Sequence, residues 1–448
     1  MHRSFAPLLS LPLLTAGMAG CVEQDGAAVV AVLPLSGQFS QRGDIHKRAI
    51  QSAFAALEEA GSAKHVGKPF RLVPVSSGNG KEEVAAEMER VMAENDVLAV
   101  ISSTGAAHEG SLRAALAAQV PHFEVSSGSD DDEFLNGDER ASVDPSFAFS
   151  TRALCFTEAQ VTANFIAAAY KGKKLALLRG NQVHDIMHTE VVRGEIERLN
   201  AAADAEGRPG DKVILVNDAA SEDGAYALGY GDDINYESVL NSINADHAPD
   251  VIFWHLRGDD ANGRLWQDAA RVGFQGALVT CGMSRKTSLL DNSRNGGVLD
   301  YMHDRLHFVM RAPPQTTALD SFKAEYQQEW RLSPDTWTPA AFDAGVLIGL
   351  GLVKTKGKSG EELRDAILEL ARPEGELIDY KSFDRAVSLL SAGTDINYDG
   401  PSGSLDIKEG DKHHVPGAYY VEIVKRGDGA VGQFVIREDW SESPILIE

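Results

Sequence analysis

Hydroxyl and imidazole side chains gather at four places in this chain. Ser102-Ser103-Thr104-Gly105 and Ser126-Ser127-Gly128-Ser129 each follow an apolar run. Hydroxyls placed where a strand turns into a helix cap free backbone N–H groups or share them with a bound anion. His184-Asp-Ile-Met-His188 and His303-Asp-Arg-Leu-His307 both read His-Asp-x-x-His. On a helix that spacing puts both imidazoles on one face, as zinc hydrolases require. Here the residue after the first histidine is aspartate rather than the usual glutamate base, the second segment has a β-like pattern, and neither pair has an evident third ligand. The expectation is therefore no catalytic metal and no cofactor. Ser126–Ser129 lacks the spacing of a G-x-S-x-G nucleophile, so acyl transfer has no support. The glycines from Gly224 to Gly231 lack the lysine and spacing of a phosphate loop. Of the tryptophans, Trp254 is the candidate ligand platform because it ends an expected strand; the others read as core. The residues point to binding rather than to catalysis.

The elements that must carry these groups alternate along the chain. Val97–Ile101 is a continuous apolar run, the mark of a strand buried on both faces, and an Ala-rich helical pattern follows from Ala106 to Gln119. Before it come a strand at Ala27–Leu35, a helix at Asp44–Ala60 closing on Gly61, a strand at Pro69–Val75 and a helix at Glu82–Glu94. After it come strands at Val120–Val125 and Phe147–Thr151. This alternation predicts an α/β, doubly wound parallel sheet whose ligands sit beyond the carboxyl ends of the strands. A second series restarts after Phe149, with a helix at Thr157–Tyr170 and strands at Lys174–Leu178, Lys212–Val216, Asp250–Trp254 and Ala277–Thr280. Asn217–Asn235 reads as an insertion loop and Gly297–Arg311 as a strand pair. Helices are expected at Thr317–Trp330, Thr338–Val353 and Ser359–Ala371. Short strands at Gly403–Ile407, Ala418–Val424 and Gln433–Arg437 close the chain.

At 448 residues the chain exceeds what one core supports. Its 43% apolar and 24% charged residues are those of a globular protein. A formal net charge of −24 and the lack of any Lys/Arg-rich tract argue against nucleic acid as a partner. Residues 1–21 are a separate piece. His2 and Arg3 precede an apolar Leu8–Leu14 and a run of mostly small residues ending at Cys21, which predicts a secretory signal too short to span a bilayer. Ala19-Gly20-Cys21 resembles a bacterial lipobox, with Met18 where leucine is usual, and implies lipidation of Cys21. Cys155 and Cys281 are the other two cysteines, available for a disulfide in an oxidising compartment.

Several stretches taken in order resemble the type I periplasmic substrate-binding proteins of the branched-chain amino acid (leucine/isoleucine/valine) class. They are AVLPLSGQFSQRG near the start, ISSTG at 101–105, FKAEYQQEWRLSPDTWTPAAFDAGVLIGLGLV at 322–353, EELRDAIL at 361–368, GPSGSLDIKEGD at 400–411 and YYVEIVKRGDG at 419–429. The resemblance implies two Rossmann-like lobes joined by a three-segment hinge, with 22–150 and 311–414 in lobe 1 and 151–310 and 415–448 in lobe 2. It implies that Ser103, with Ser102 beside it, and Ser127 and Ser129 hold the carboxylate of a small-molecule ligand. On lobe 2, His184 takes the place of an aromatic, and Trp254 stands near a second. The acidic partner of an α-amino group should fall near Cys281-Gly282, where the sequence has no carboxylate; Asp130 and Asp185 are the substitutes in reach. The implied function is a solute-binding lipoprotein of an ABC importer, periplasmic, held at the membrane through lipidated Cys21, and handing its ligand to the permease subunits. A sensory or envelope-interaction protein of the same fold is the alternative, and a metal-dependent hydrolase stands third.

Overall fold

Seven apolar residues, Ala27–Leu33, form β1, and none is exposed to solvent. Such burial requires helices on both faces of the sheet, and the chain supplies them. The computed structural model describes residues 26–77, 81–103, 105–126, 142–152, 154–181, 183–216, 227–228, 235–256, 259–282, 290, 298–312, 316–407, 413–414, 418–426 and 432–436.

The first series runs α1 (Ser40–Glu59), α2 (Ala63–Val66), β2 (Phe70–Ser76), α3 (Lys81–Glu94), β3 (Val97–Ser102), α4 (Gly105–Ala117), β4 (His122–Glu124) and β5 (Ala148–Ser150). Its strands lie in the order β2-β1-β3-β4-β5, all parallel. The second series runs α5 (Cys155–Ala169), β6 (Lys174–Gly180), α6 (Val183–Ala205), β7 (Ile214–Leu215), β8 (Ala227–Leu228), α7 (Tyr236–His247), β9 (Val251–His255), α8 (Asp259–Arg271), β10 (Ala277–Cys281), α9 (Leu299–Met302) and β11 (Leu306–Ala312). Its sheet repeats the first, β7-β6-β9-β10-β11, with β8 beside the end of β6.

The chain then returns to the first core through α10 (Thr317–Trp330), α11 (Thr338–Thr355), α12 (Glu361–Leu370), β12 (Glu376–Asp379), α13 (Phe383–Ser391), β13 (Ile396–Gly400) and β14 (Gly403–Ser404). β15 (His413–His414) adds to β5 in the first sheet. The last strands, β16 (Ala418–Arg426) and β17 (Gly432–Ile436), extend the second sheet antiparallel from β11. The chain thus passes between the two sheets three times: between Ser150 and Cys155, between Ala312 and Thr317, and between His414 and Ala418. This is the two-lobed, doubly wound α/β architecture expected from the alternation of strands and helices.

Helix α11 is the spine of the first lobe. Every residue from Thr338 to Val353 is buried. Its small residues let it lie directly on α1: a Cβ at Gly349 would meet Leu57 Cδ1 at 2.3 Å. Two expectations give way to the structure, and one sheet was not expected. In place of the strand pair expected at Gly297–Arg311, the described residues give one turn of helix, Leu299–Met302, followed by the single strand β11, so His303 and His307 share no helical face. Gly403–Ile407 pairs only over Gly403–Ser404. The three-stranded sheet β12-β13-β14, with α13 packed on it, was unread in the sequence. Among the described residues no helix is long and apolar enough to cross a membrane.

Candidate functional site

In a sheet of order 2-1-3-4-5 the crevice opens where the order reverses, beyond the carboxyl ends of the first and third strands. In lobe 1 that place is the end of β1 and β3, and in lobe 2 it is the end of β6 and β9. Ser103 leaves β3 there, its N–H donating to Val32 O of β1 at 3.1 Å. Ser102 and Ser103 diverge. The Ser102 hydroxyl is 3.1 Å from Nδ1 of His108 on α4, both groups buried. Ser103 Oγ is buried and makes no hydrogen bond among the described residues.

The corner after β4 joins this one. Ser126 Oγ donates to Ser103 O, and Ser126 N–H donates to Glu124 Oε1 at 2.7 Å. Glu124 is itself fully buried. The next corner follows in turn, since Ser150 Oγ lies within hydrogen-bond reach of Glu124 O and Arg152 O. The ends of three neighbouring strands are therefore laced into one polar wall.

Arg152 stands at the first crossing between lobes, where neighbouring Thr151 Oγ1 donates to Ala340 O of α11 at 2.8 Å. Its guanidinium stacks 3.7 Å above the Trp337 ring at the head of α11. Arg152 is 3% exposed, and its Nε and Nη1 make no hydrogen bond among the described residues. Burial and the nearby charge of Arg311 lower its pKa to about 10, which leaves it cationic at neutral pH.

Arg311, at the second crossing, also faces Trp337, at 5.9 Å, and its Nε is 2.6 Å from Glu158 Oε2. The other oxygen of Glu158 accepts from Gly282 N–H at 2.9 Å. A carboxylate therefore does reach Gly282, supplied by α5 rather than by the strand end. Gly282 suits this approach, because a Cβ there would lie 3.2 Å from Glu158 Oε1 and from Met310 Sδ. With both oxygens engaged, Glu158 is a counter-ion for Arg311 and a poor partner for an incoming ammonium.

The other expected site residues fall in three groups. Ser127, Ser129, Asp130 and Cys21 lie outside the described residues, and His184 is described only as backbone in the first turn of α6. Asp185 is buried against His255 Nδ1 at 2.8 Å, so it is committed within lobe 2. Trp254 requires a correction: it lies wholly in the core on the α7–α8 face of the second sheet, with Nε1 donating to Asn262 Oδ1 at 2.8 Å. Strand alternation is the reason, because side chains along β9 take opposite faces and the inward aromatic at 254 fills the α8 side. Cys155 and Cys281 form no disulfide. Sequence reading missed Arg152, Arg311, Glu158 and Trp337. The available signal was a lone arginine at each of two expected lobe boundaries.

Residues 28–185 match the sequence model of a family described as periplasmic binding protein. A leucine binding protein from Thermotoga maritima superposes with a TM-score of 0.60 at 16% identity, covering 92% of this chain and 99% of its own. A branched-chain amino acid transporter substrate binding protein from Streptococcus pneumoniae, solved with isoleucine, gives 0.58 at 13% identity, with 92% and 100% covered. A solute binding protein from R. palustris, solved with 4-hydroxybenzoate, gives 0.60 at 14% identity, with 92% and 96% covered. No curated protein sequence matches significantly. The chain has the type I periplasmic-binding fold, as the resemblance of its motifs implied.

Proposed function

We propose that this protein is the solute-binding component of an ABC importer and that it captures a small carboxylate between its lobes. It would be exported by residues 1–21, held at the cell envelope through lipidated Cys21, and would present the closed, loaded form to the permease. One observation supports this reading above the rest: a buried, cationic Arg152 at a lobe crossing, over the Trp337 ring, with two guanidinium nitrogens unengaged among the described residues. A buried cation whose hydrogen bonds are incomplete is costly, and a carboxylate arriving between the lobes would complete them. Ser103 Oγ is the neutral donor on the same wall. Closure follows because such a ligand gains its full interaction only when both lobes touch it.

Among the described residues the one carboxylate at Gly282 is already committed to Arg311, which turns the reading from α-amino acids toward acids without an ammonium. Benzoate-type acids, like the 4-hydroxybenzoate held by the R. palustris protein, fit that chemistry. The test is a thermal-shift and calorimetric comparison of benzoate, 4-hydroxybenzoate and isoleucine, with benzamide as the neutral control. We expect the acids to raise the melting temperature and benzamide to leave it unchanged. Arg152→Met should weaken acid binding by about 10–100-fold, the worth of a charged hydrogen bond. Equal binding of acid and amide, or undiminished binding by Arg152→Met, overturns the carboxylate reading.

A further inference from the structure

Beneath the lobe 2 half of the crevice, three side chains from separate elements converge. His188 comes from α6, His255 ends β9 and Cys281 ends β10. One donor atom from each lies within 4.8 Å of the others, and the residues are between 0% and 4% exposed. The two imidazoles are tilted against each other, with ring centroids 4.4 Å apart at an interplanar angle of 30°. We infer that His188, His255 and Cys281 form a buried site for a thiophilic transition-metal ion, zinc(II) first.

The donor set selects the metal. Two imidazoles and a thiolate suit zinc or copper and not magnesium or calcium, which take oxygen. Zinc at about 2.0–2.1 Å from nitrogen and 2.3 Å from sulfur holds tetrahedral donors roughly 3.3–3.8 Å apart. The three atoms need to close by only about an ångström to meet it.

The surrounding residues are arranged for the same end. Asp185 lies one helical turn before His188 and is 2.8 Å from Nδ1 of His255. A carboxylate on one ring nitrogen fixes the tautomer and aims the other at a metal, the usual second support of a histidine ligand. In His255 the coordinating atom is then Nε2. Phe253, stacked on His188 at 6.1 Å and 14°, helps to orient that ring. Three protein ligands leave the fourth position to water or an exogenous anion. The spacing His184-x-x-x-His188 suggested in the sequence is replaced by a tertiary site that shares only its second histidine.

The inference stands apart from the carboxylate reading, since none of these residues belongs to the Arg152–Ser103 wall. To test it, the purified chain is stripped with a chelator and titrated with cobalt(II). One equivalent should bind with visible bands of tetrahedral cobalt and a near-ultraviolet sulfur-to-cobalt charge-transfer band, and zinc(II) should displace it. Cys281→Ser should abolish the charge-transfer band with an unchanged circular dichroism spectrum. Asp185→Asn should weaken cobalt binding by about 10–100-fold while keeping the band. X-ray absorption of the zinc-loaded wild type, which needs no variant to fold, should show one sulfur and two imidazoles. No cobalt uptake, a spectrum without sulfur charge transfer, a band that survives Cys281→Ser, or a shell of nitrogen and oxygen alone would each overturn the site.

Discussion

Ser103 and Asp335 show how much a single side chain decides at this crevice. Ser103 offers one neutral hydroxyl, so Ser103→Ala should lower affinity for a bound acid by about 1 kcal/mol, several-fold in Kd by calorimetry, with little effect on folding. Asp335, in the turn before α11, sets Trp337 in place. Its Oδ1 accepts from Trp337 N–H at 3.0 Å and from Thr338 Oγ1 at 2.8 Å, and His46 Nε2 lies 3.0 Å away. Asp335→Ala should cost about 1–3 kcal/mol in denaturant unfolding, because it leaves buried donors at the head of α11 without an acceptor. It should also weaken acid binding indirectly, through the indole on which Arg152 rests. A variant that unfolds like wild type would show that this turn does not hold the helix.

At the scale of elements, α11 carries two aspartates near it whose titrations run in opposite directions. Burial alone would raise the pKa of Asp335, but the charge and hydrogen bond of His46, with Arg42, outweigh it and hold the carboxyl below the ordinary range. Its stabilisation is present above the unfolded carboxylate pKa and fades only as the pH falls toward the lower folded value. Asp343, inside the helix, is wholly buried, and burial raises its pKa to about 7 even though Ser402 and Tyr398 donate to it. A raised folded pKa gives stability that is full below the unfolded value of about 4 and lost as the pH rises toward 7. Melting temperature should accordingly decline across that window. The Asp343→Asn variant should lack that component of the decline, and identical pH profiles for the two proteins would rule it out.

The same elements show what could be read in advance. β1 and β3 were legible because a strand covered on both faces must be apolar throughout, and Ala27–Leu33 and Val97–Ile101 are. β12 was not, since Glu376-Leu-Ile-Asp379 is short and bounded by charge, and its partner β13 lies seventeen positions further on. Trp254 was placed at the right strand end but on the wrong face, because periodicity gives alternation and not which side packs on helices. Arg152 and Arg311 belong to no motif. Their meaning comes from two crossings meeting at one indole, a tertiary fact that no local pattern encodes.

For the whole molecule, the repeated strand order explains why binding groups collect where they do. Both sheets reverse at their third strand, and the chain joins them by three segments, two of which meet at Trp337. The lobes keep separate cores, one around α1 and α11 and the other on the two faces of β6-β9-β10-β11. Independent cores let the lobes move as bodies, with the change in angle absorbed at the crossings.

Trp337 adds a mechanical consequence to this arrangement. Guanidinium groups from the first two crossings lie over the same ring, at 3.7 and 5.9 Å, so a hinge turning about these two crossings would leave the indole close to its axis. Near a pivot, rotation produces little displacement, whereas the outer lips of the jaws sweep a long arc. A guest's charged end seated at the pivot would move little as the jaws open, while its full interaction still waits on contact with both. The bulk of its tail, lying out along the lever, would then set how far the jaws can shut.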